Sequence, residues 1–335
     1  VNADSPELAV IGAGSWGTAL AIQLGRAGQS PVLWGQEPEV IEALNSQRCN
    51  SVFLPGLLLP DSVSVNADFD AVIRSNQDIL VCVPSHVFRQ VLERMRPNLR
   101  SGARVAWATK GFELATGKLP HQVAQEVLGI EVPLAVVSGP TFAREVGLGL
   151  PTAMTVASNN ANFADHLAAR FSDENFRAYT SPDMIGVEVG GAVKNVLAIA
   201  TGMSDGLGFG ANTRIALITR GLAEMTRLGI ALGAATETFA GLSGMGDLVL
   251  TCTDDQSRNR RMGLALAAGK SVEQTATEIG QVVEGVTAAA AVRKAATDLG
   301  VEMPICEQVY RILYKGAAAQ EAVLALMQRE VKAEG

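Results

Sequence analysis

The fold turns on Leu8-Ala9-Val10-Ile11 followed at once by Gly12-Ala13-Gly14-Ser15-Trp16-Gly17. Four apolar residues predict a buried strand. The G-x-G-x-x-G run after them opens an apolar helix that reaches about Ala27. Each glycine has a physical task. Gly12 permits the tight turn, Gly14 lets backbone approach a diphosphate, and Gly17 lets the helix pack close to the sheet. An anion then sits at the helix N-terminus, where N–H groups lack partners and the helix dipole is positive. The glycines alone would fit a turn with no ligand. The strand before them and the helix after them make the reading a dinucleotide site.

Working outward, short apolar runs recur at Pro31–Trp34, Asp78–Val83, Arg104–Ala108, Leu134–Val137 and Ala153–Ala157, with helical patterns between them. Runs apolar on both faces predict strands of a parallel sheet covered on both sides. Right-handed crossovers make that sheet doubly wound. After about Ser181 helical patterns take over, at Asp183–Met203, Thr213–Gly229, Ser257–Ala268, Glu284–Leu299, Ile305–Tyr314 and Ala318–Gln328. The expectation is an α/β chain: a doubly wound, parallel-sheet Rossmann domain over residues 1–181 and an all-helical domain over 182–335.

Composition agrees. A chain of 335 residues, 48% hydrophobic and 18% charged, suits two domains with large cores. Its mean hydropathy is +0.21, yet no run of 18 apolar residues occurs, so membrane insertion is not expected. A net charge of −7 argues against nucleic-acid binding. The start, Val1-Asn2-Ala3-Asp4-Ser5, lacks the basic end and apolar stretch of a signal peptide. Cys49, Cys82, Cys252 and Cys306 are scattered, which supports neither a disulfide nor a metal site and fits the cytoplasm. His86, His121 and His166 make no metal pattern with them and read as surface or capping residues.

Two lysines carry the catalytic signal. Lys110 follows a strand's carboxyl end, where open α/β sheets bind ligands. Lys194 lies in the apolar helix Gly190-Gly191-Ala192-Val193-Lys194-Asn195, an odd place for an ammonium group. The glycines precede it by four and three residues, and a helical side chain leans over those positions. A ligand cleft beside the amine would explain them; close packing of another helix onto the glycine face is the alternative. Burial, or a second cation such as Lys110, would lower the amine's pKa toward the range of a general base. Ser257-Arg258-Asn259 opens a helix and reads either as a phosphate cradle or as a capped helix with surface arginines at Arg260 and Arg261. Asp247, between glycines, reads as an acceptor for a substrate hydroxyl, as a partner for Lys194, or as a turn residue. Glu284 is a helix N-terminal acid or a cofactor contact. At the end of the second strand Gln36 carries no charge, and Glu37 starts the next helix or binds a ribose. The choice between NAD and NADP stays open.

The chain resembles the bacterial NAD(P)-dependent glycerol-3-phosphate dehydrogenase family along nearly its whole length. The likeness rests on GAGSWGTALA (Gly12–Ala21), KGFE (Lys110–Glu113), SGPTFARE (Ser138–Glu145), GGAVKNVLAIATGMSDGLGFG (Gly190–Gly210), GLSGMGDLVLTC (Gly241–Cys252), SRNRRMG (Ser257–Gly263) and GQVVEG (Gly280–Gly285). The resemblance implies that Lys194 is the proton acceptor. It implies substrate contacts from Lys110, Gly139, Thr141, Asp247, Ser257, Arg258 and Asn259, and cofactor contacts from Ser15, Trp16, Lys110, Ala143, Arg258, Val282 and Glu284. Thr141 stands where the family usually has serine and keeps the hydroxyl. Gln36 stands where the family often has a basic residue. The family further implies a cytoplasmic homodimer that supplies glycerol 3-phosphate for phospholipid synthesis and is inhibited by its product. Two alternatives remain at this level. One is a related dehydrogenase acting on a hydroxy acid, which would not need Ser257-Arg258-Asn259. The other is a nicotinamide sensor without catalysis, which would not need Lys194 or Asp247.

Overall fold

The structure is a computed structural model and describes residues 8–327. The start Val1–Ser5 and Gln328, both used in the sequence reading, lie outside those residues. Contacts divide the chain into two compact units. The first holds the described residues before Gly111 together with Leu119–Glu188; the second holds Gly111–Lys118 and the described residues from Val189 onward. That division falls seven residues beyond the expected boundary at 181, inside a continuous helix.

In the first unit strands and helices alternate: β1 (Leu8–Ile11), α1 (Ser15–Arg26), β2 (Val32–Trp34), α2 (Pro38–Gln47), β3 (Ser64–Val65), α3 (Phe69–Ser75), β4 (Asp78–Val81), α4 (Phe88–Met95), β5 (Arg104–Trp107), α5 (Pro120–Leu128), β6 (Leu134–Ser138), α6 (Ala143–Leu148), β7 (Thr152–Ser158), α7 (Ala161–Phe171) and β8 (Phe176–Ser181). The sheet order is β3-β2-β1-β4-β5-β6-β7-β8. Alternate strand residues feed two cores. Val10, Leu80 and Val137 pack with α1, α2 and α7 on one face; Ile11, Val81 and Val136 pack with α3, α4 and α5 on the other. This is the doubly wound Rossmann arrangement, with one correction to the all-parallel expectation. β7 runs antiparallel to β6, and β8, parallel to β7, follows it. The cause is the connection. The six residues of α6 rise about 9 Å, too little to carry the chain back along β6 to begin a parallel neighbour.

Helix α8 (Met184–Gly206) carries the chain onward, and α9 (Gly210–Leu232), α10 (Asp247–Thr253), α11 (Arg258–Ala267), α12 (Val272–Ile279), α13 (Glu284–Asp298), α14 (Pro304–Lys315) and α15 (Ala319–Met327) follow. α8 is long and apolar enough to cross a membrane, but 94% of its apolar window is buried inside the protein, so it is a core helix. Backbones approach it closely. A Cβ on Gly202 would stand 2.1 Å from the Arg260 carbonyl oxygen, and one on Gly263 would stand 2.2 Å from that of Ile199. α8 and α11 therefore touch backbone to backbone. Glu224 of α9 is buried and accepts hydrogen bonds from the Ile305 and Cys306 N–H groups, which satisfies the open start of α14.

Candidate functional site

The glycine turn has the geometry its residues predict. Gly12 has φ +118°, and a Cβ there would lie 2.5 Å from the Cys82 carbonyl oxygen. A Cβ on Gly17 would lie 1.9 Å from the Gly12 carbonyl oxygen, so α1 can start only if residue 17 is bare. Around Gly14 a Cβ would meet nothing within 4 Å. The backbone there is open to approach, and no side chain caps the α1 N-terminus. Gly12 N–H donates to the Trp34 carbonyl at 2.8 Å, which ties the turn to the end of β2. These features fit a nucleotide diphosphate: amides of Ser15, Trp16 and Gly17 at a bare helix start, beside an open glycine.

The other first-unit candidates also follow strand ends. Gln36 and Glu37 are exposed just past β2, and Glu37 is the N-cap of α2, with no side-chain capping bond. Lys110 is half-buried three residues past β5. Gly139 follows β6 with φ +156°, a Cβ there would meet Met154 Cα at 2.9 Å, and the Thr141 hydroxyl donates to the Gly139 carbonyl at 3.2 Å. Ala143 opens α6. His86 is exposed, as the sequence reading expected, but the other two histidines correct that reading. His121 Nδ1 lies 2.5 Å from the fully buried Glu188 carboxylate, and His166 Nε2 lies 2.8 Å from that of Asp78. Neither is a plain surface residue. Burial pushes the Glu188 carboxyl above its usual range, against hydrogen bonds from His121 and Trp107.

In the second unit Lys194 is only 7% exposed and Asp247 only 1%. Lys194 Nζ donates to Asp247 Oδ1 at 2.5 Å and to Thr251 Oγ1 at 3.0 Å. The Thr251 hydroxyl donates to the Asp247 carbonyl at 2.6 Å, one helical turn back. Asp247 is the first residue of α10, not a turn residue. Gly190 is explained by packing: a Cβ there would stand 2.2 Å from the Ser243 carbonyl oxygen. The side of α8 under Lys194 is thus filled by Leu242–Gly246, the segment that delivers Asp247 to the amine. That corrects the reading of Gly190 as room for a ligand.

The Ser257-Arg258-Asn259 run opens α11 as expected. Ser257 is its N-cap, accepting from Arg260 N–H at 3.2 Å, which leaves its hydroxyl hydrogen to donate elsewhere. Burial lowers the Arg258 guanidinium from its usual value, with Glu284 nearby raising it and Arg261 lowering it further; it remains a cation. Arg258 Nη1 also donates to Gln281 Oε1 at 3.3 Å. Asn259 is committed largely to the protein. It donates to Asn195 Oδ1 at 2.8 Å and accepts from Gly285 N–H at 2.8 Å, joining α8, α11 and α13. Glu284 starts α13, and Val282 is exposed just before it. Arg260 is not a surface arginine: it is buried and paired with Asp205 and Asp255. The sequence reading missed Thr251 and Asn195. Thr251 had a signal, since it follows Asp247 by four residues and so shares its helix face. Asn195 had none beyond its place next to Lys194.

Two family descriptions match most of this chain. Residues 7–164 match the N-terminus of NAD-dependent glycerol-3-phosphate dehydrogenase, and residues 183–324 match its C-terminus. The chain belongs to this family. A glycerol-3-phosphate dehydrogenase [NAD(P)+] of Tolumonas auensis is 56% identical over 328 residues, covering 98% of each chain. One of Bartonella quintana is 53% identical, covering 98% of this chain and 96% of the relative. The crystal structure of glycerol-3-phosphate dehydrogenase from Coxiella burnetii superposes with a TM-score of 0.94 at 46% identity, covering 97% of this chain and 99% of that one. A ketopantoate reductase of Ralstonia eutropha superposes at TM-score 0.59 and 17% identity, which shows a shared fold alone.

Proposed function

We propose that the chain interconverts sn-glycerol 3-phosphate and dihydroxyacetone phosphate with NAD or NADP, and that Lys194 is its proton donor and acceptor. The observation that carries the reading is the Lys194–Asp247–Thr251 constellation in a chain that belongs to the glycerol-3-phosphate dehydrogenase family. A buried lysine with no chemical task would be a poor use of an apolar helix.

Each residue has a role in this reading. The amides of Ser15, Trp16 and Gly17, with the tight turn at Gly12 and the open backbone at Gly14, would hold the cofactor diphosphate. Gln36 lies at the ribose end and, being uncharged, favours neither cofactor by charge. Ala143, Val282 and Glu284 are further cofactor contacts. A nicotinamide cofactor held by these residues would supply or accept the hydride at the substrate's C2. Lys194 Nζ gives a proton to the C2 oxygen in ketone reduction and takes it back in alcohol oxidation. Asp247 and Thr251 fix the amine's position, so little reorganisation accompanies the transfer. Arg258, Lys110 and the Ser257 hydroxyl supply cationic and hydrogen-bonding partners for the phosphate. Gly139, Thr141 and Asn259 complete the substrate contacts. We also propose a cytoplasmic homodimer that feeds phospholipid synthesis.

Steady-state reduction of dihydroxyacetone phosphate, run separately with NADH and NADPH, tests the reading. The expected result is turnover with at least one cofactor, and a loss on Arg258→Ala that falls on the KM for the phosphorylated substrate. No turnover with either cofactor, or an unchanged KM, would favour a hydroxy acid as substrate.

A further inference from the structure

We infer that Asn50 is a positioning residue for the cofactor, holding the Ala13–Gly14 peptide so that the Gly14 N–H faces the diphosphate. The inference rests on the dinucleotide reading of the glycine turn and adds a residue outside the motif. Asn50 has no exposed surface. Its Nδ2 donates to the Ala13 carbonyl oxygen at 2.8 Å and to Thr18 Oγ1 at 2.8 Å, and its Oδ1 accepts from Phe53 N–H at 2.9 Å. One carboxamide thus grips the turn, the first helical turn of α1 and its own loop.

The consequence for Gly14 follows from peptide geometry. A trans peptide is planar, with C=O and N–H pointing in opposite directions, and no cis bond occurs among the described residues. Fixing the Ala13 carbonyl toward Asn50 therefore aims the Gly14 N–H away from Asn50. A glycine at that place needs such a restraint, because without a side chain its backbone rotates at little cost. An anion-binding turn gains when its N–H groups are oriented before the ligand arrives.

The loop that carries Asn50 is itself braced. Leu59 N–H donates to the Arg48 carbonyl at 2.7 Å, and Cys49 and Leu58 form an antiparallel bridge, so the loop closes at its base. Arg48 takes the left-handed conformation at φ 54° and donates from Nη2 to the Pro60 and Val63 carbonyls. Leu54 N–H donates to the Asn50 carbonyl at 3.0 Å. The carboxamide therefore reaches the glycine turn from a fixed base.

Asn50→Asp is the informative change. It keeps the acceptor for Phe53 but replaces both donated hydrogen bonds with a carboxylate facing a carbonyl. The peptide is then expected to turn over, pointing its N–H inward and its oxygen toward the diphosphate. Kd for NADH, NADPH and ADP-ribose should rise about tenfold or more, whereas the Kd for adenosine, which lacks the diphosphate, should move far less. In turnover the loss should fall on KM for the cofactor, with the KM for dihydroxyacetone phosphate little changed. A residue that only stabilised the fold would lower Tm and leave these ratios alone. A folded variant that binds ADP-ribose as tightly as the wild type would overturn the role. Wild-type protein that binds neither dinucleotide would instead sink the reading of the turn itself. Should Asn50→Asp not fold, Thr18→Val removes one of the two acceptors. A weakening of ADP-ribose of about threefold or more supports the role, and an unchanged Kd opposes it.

Discussion

At the residue scale, the buried Lys194–Asp247 ion pair is the proposed seat of the chemistry, and a buried carboxyl sets a pH dependence. Glu224 sits under the start of α14, where burial raises it to about 7 against the N–H groups of Ile305 and Cys306 and the charge of Arg227. The Cys306 thiol facing it is itself raised by burial. With the ordinary value at 4.5, the native state holds a proton between pH 4.5 and 7 that the unfolded chain has released. The stabilisation is therefore complete below about 4.5 and is lost as pH rises through 7, amounting to about 3 kcal/mol. Glu224→Gln cannot titrate. From pH 5 to pH 8 the wild-type Tm should fall relative to that of the variant, and parallel Tm profiles would contradict the assignment. Much of this scale was legible in the sequence. Lys194 stood out as an ammonium group in an apolar helix, and Ser257 as a helix cap. Which of the roles open to Asp247 it takes was not legible, because a sequence does not say which acid meets a lysine 53 positions away. The motif reading also had no access to Asn50, whose partners lie 32 and 37 positions from it.

At the element scale, bare helix positions let backbones meet, and that contact places Asp247 against the Lys194 amine. Gly190 admits the Ser243 carbonyl against α8, four residues ahead of Asp247. Gly190→Ala would gain about 1 kcal/mol in helix propensity, but its Cβ would stand 2.2 Å from that oxygen. Relieving the overlap must shift Leu242–Gly246, at a cost of about 1–3 kcal/mol. The variant should melt lower and lose kcat more than cofactor affinity. An unchanged Tm and kcat would show that the segment moves freely. Strands were readable where both faces are apolar, as in β1, β4 and β6. β8 escaped notice because Arg177, Tyr179 and Thr180 are exposed on an edge strand and break the apolar run. The reversal at β7 could have been anticipated from the brevity of the Ala143–Leu148 helix, a length signal that strand patterning does not register.

At the scale of the whole molecule, the account ties one nucleotide-binding unit and one helical unit to a single redox reaction. The family match covers both, and the Coxiella burnetii structure follows the chain through 97% of its length. The two-domain plan was legible because alternating strand and helix patterns give way to helices near Ser181. The place of residues 111–118 in the second unit was not, since it depends on contacts distant in sequence. In the proposed reaction, what the molecule does with its cofactor rests on proton transfer at one amine, that of Lys194. The most direct measurement is the turnover of dihydroxyacetone phosphate by Lys194→Ala at saturating cofactor, with and without added methylamine. Removing the lysine leaves Asp247 buried without this partner, at about 3–5 kcal/mol of stability, so the assay is run well below the variant's Tm. The account predicts a loss of about 10²–10⁴ in kcat, partly restored by the added amine, with NAD(P)H binding retained. Near-normal turnover by the folded variant would contradict it.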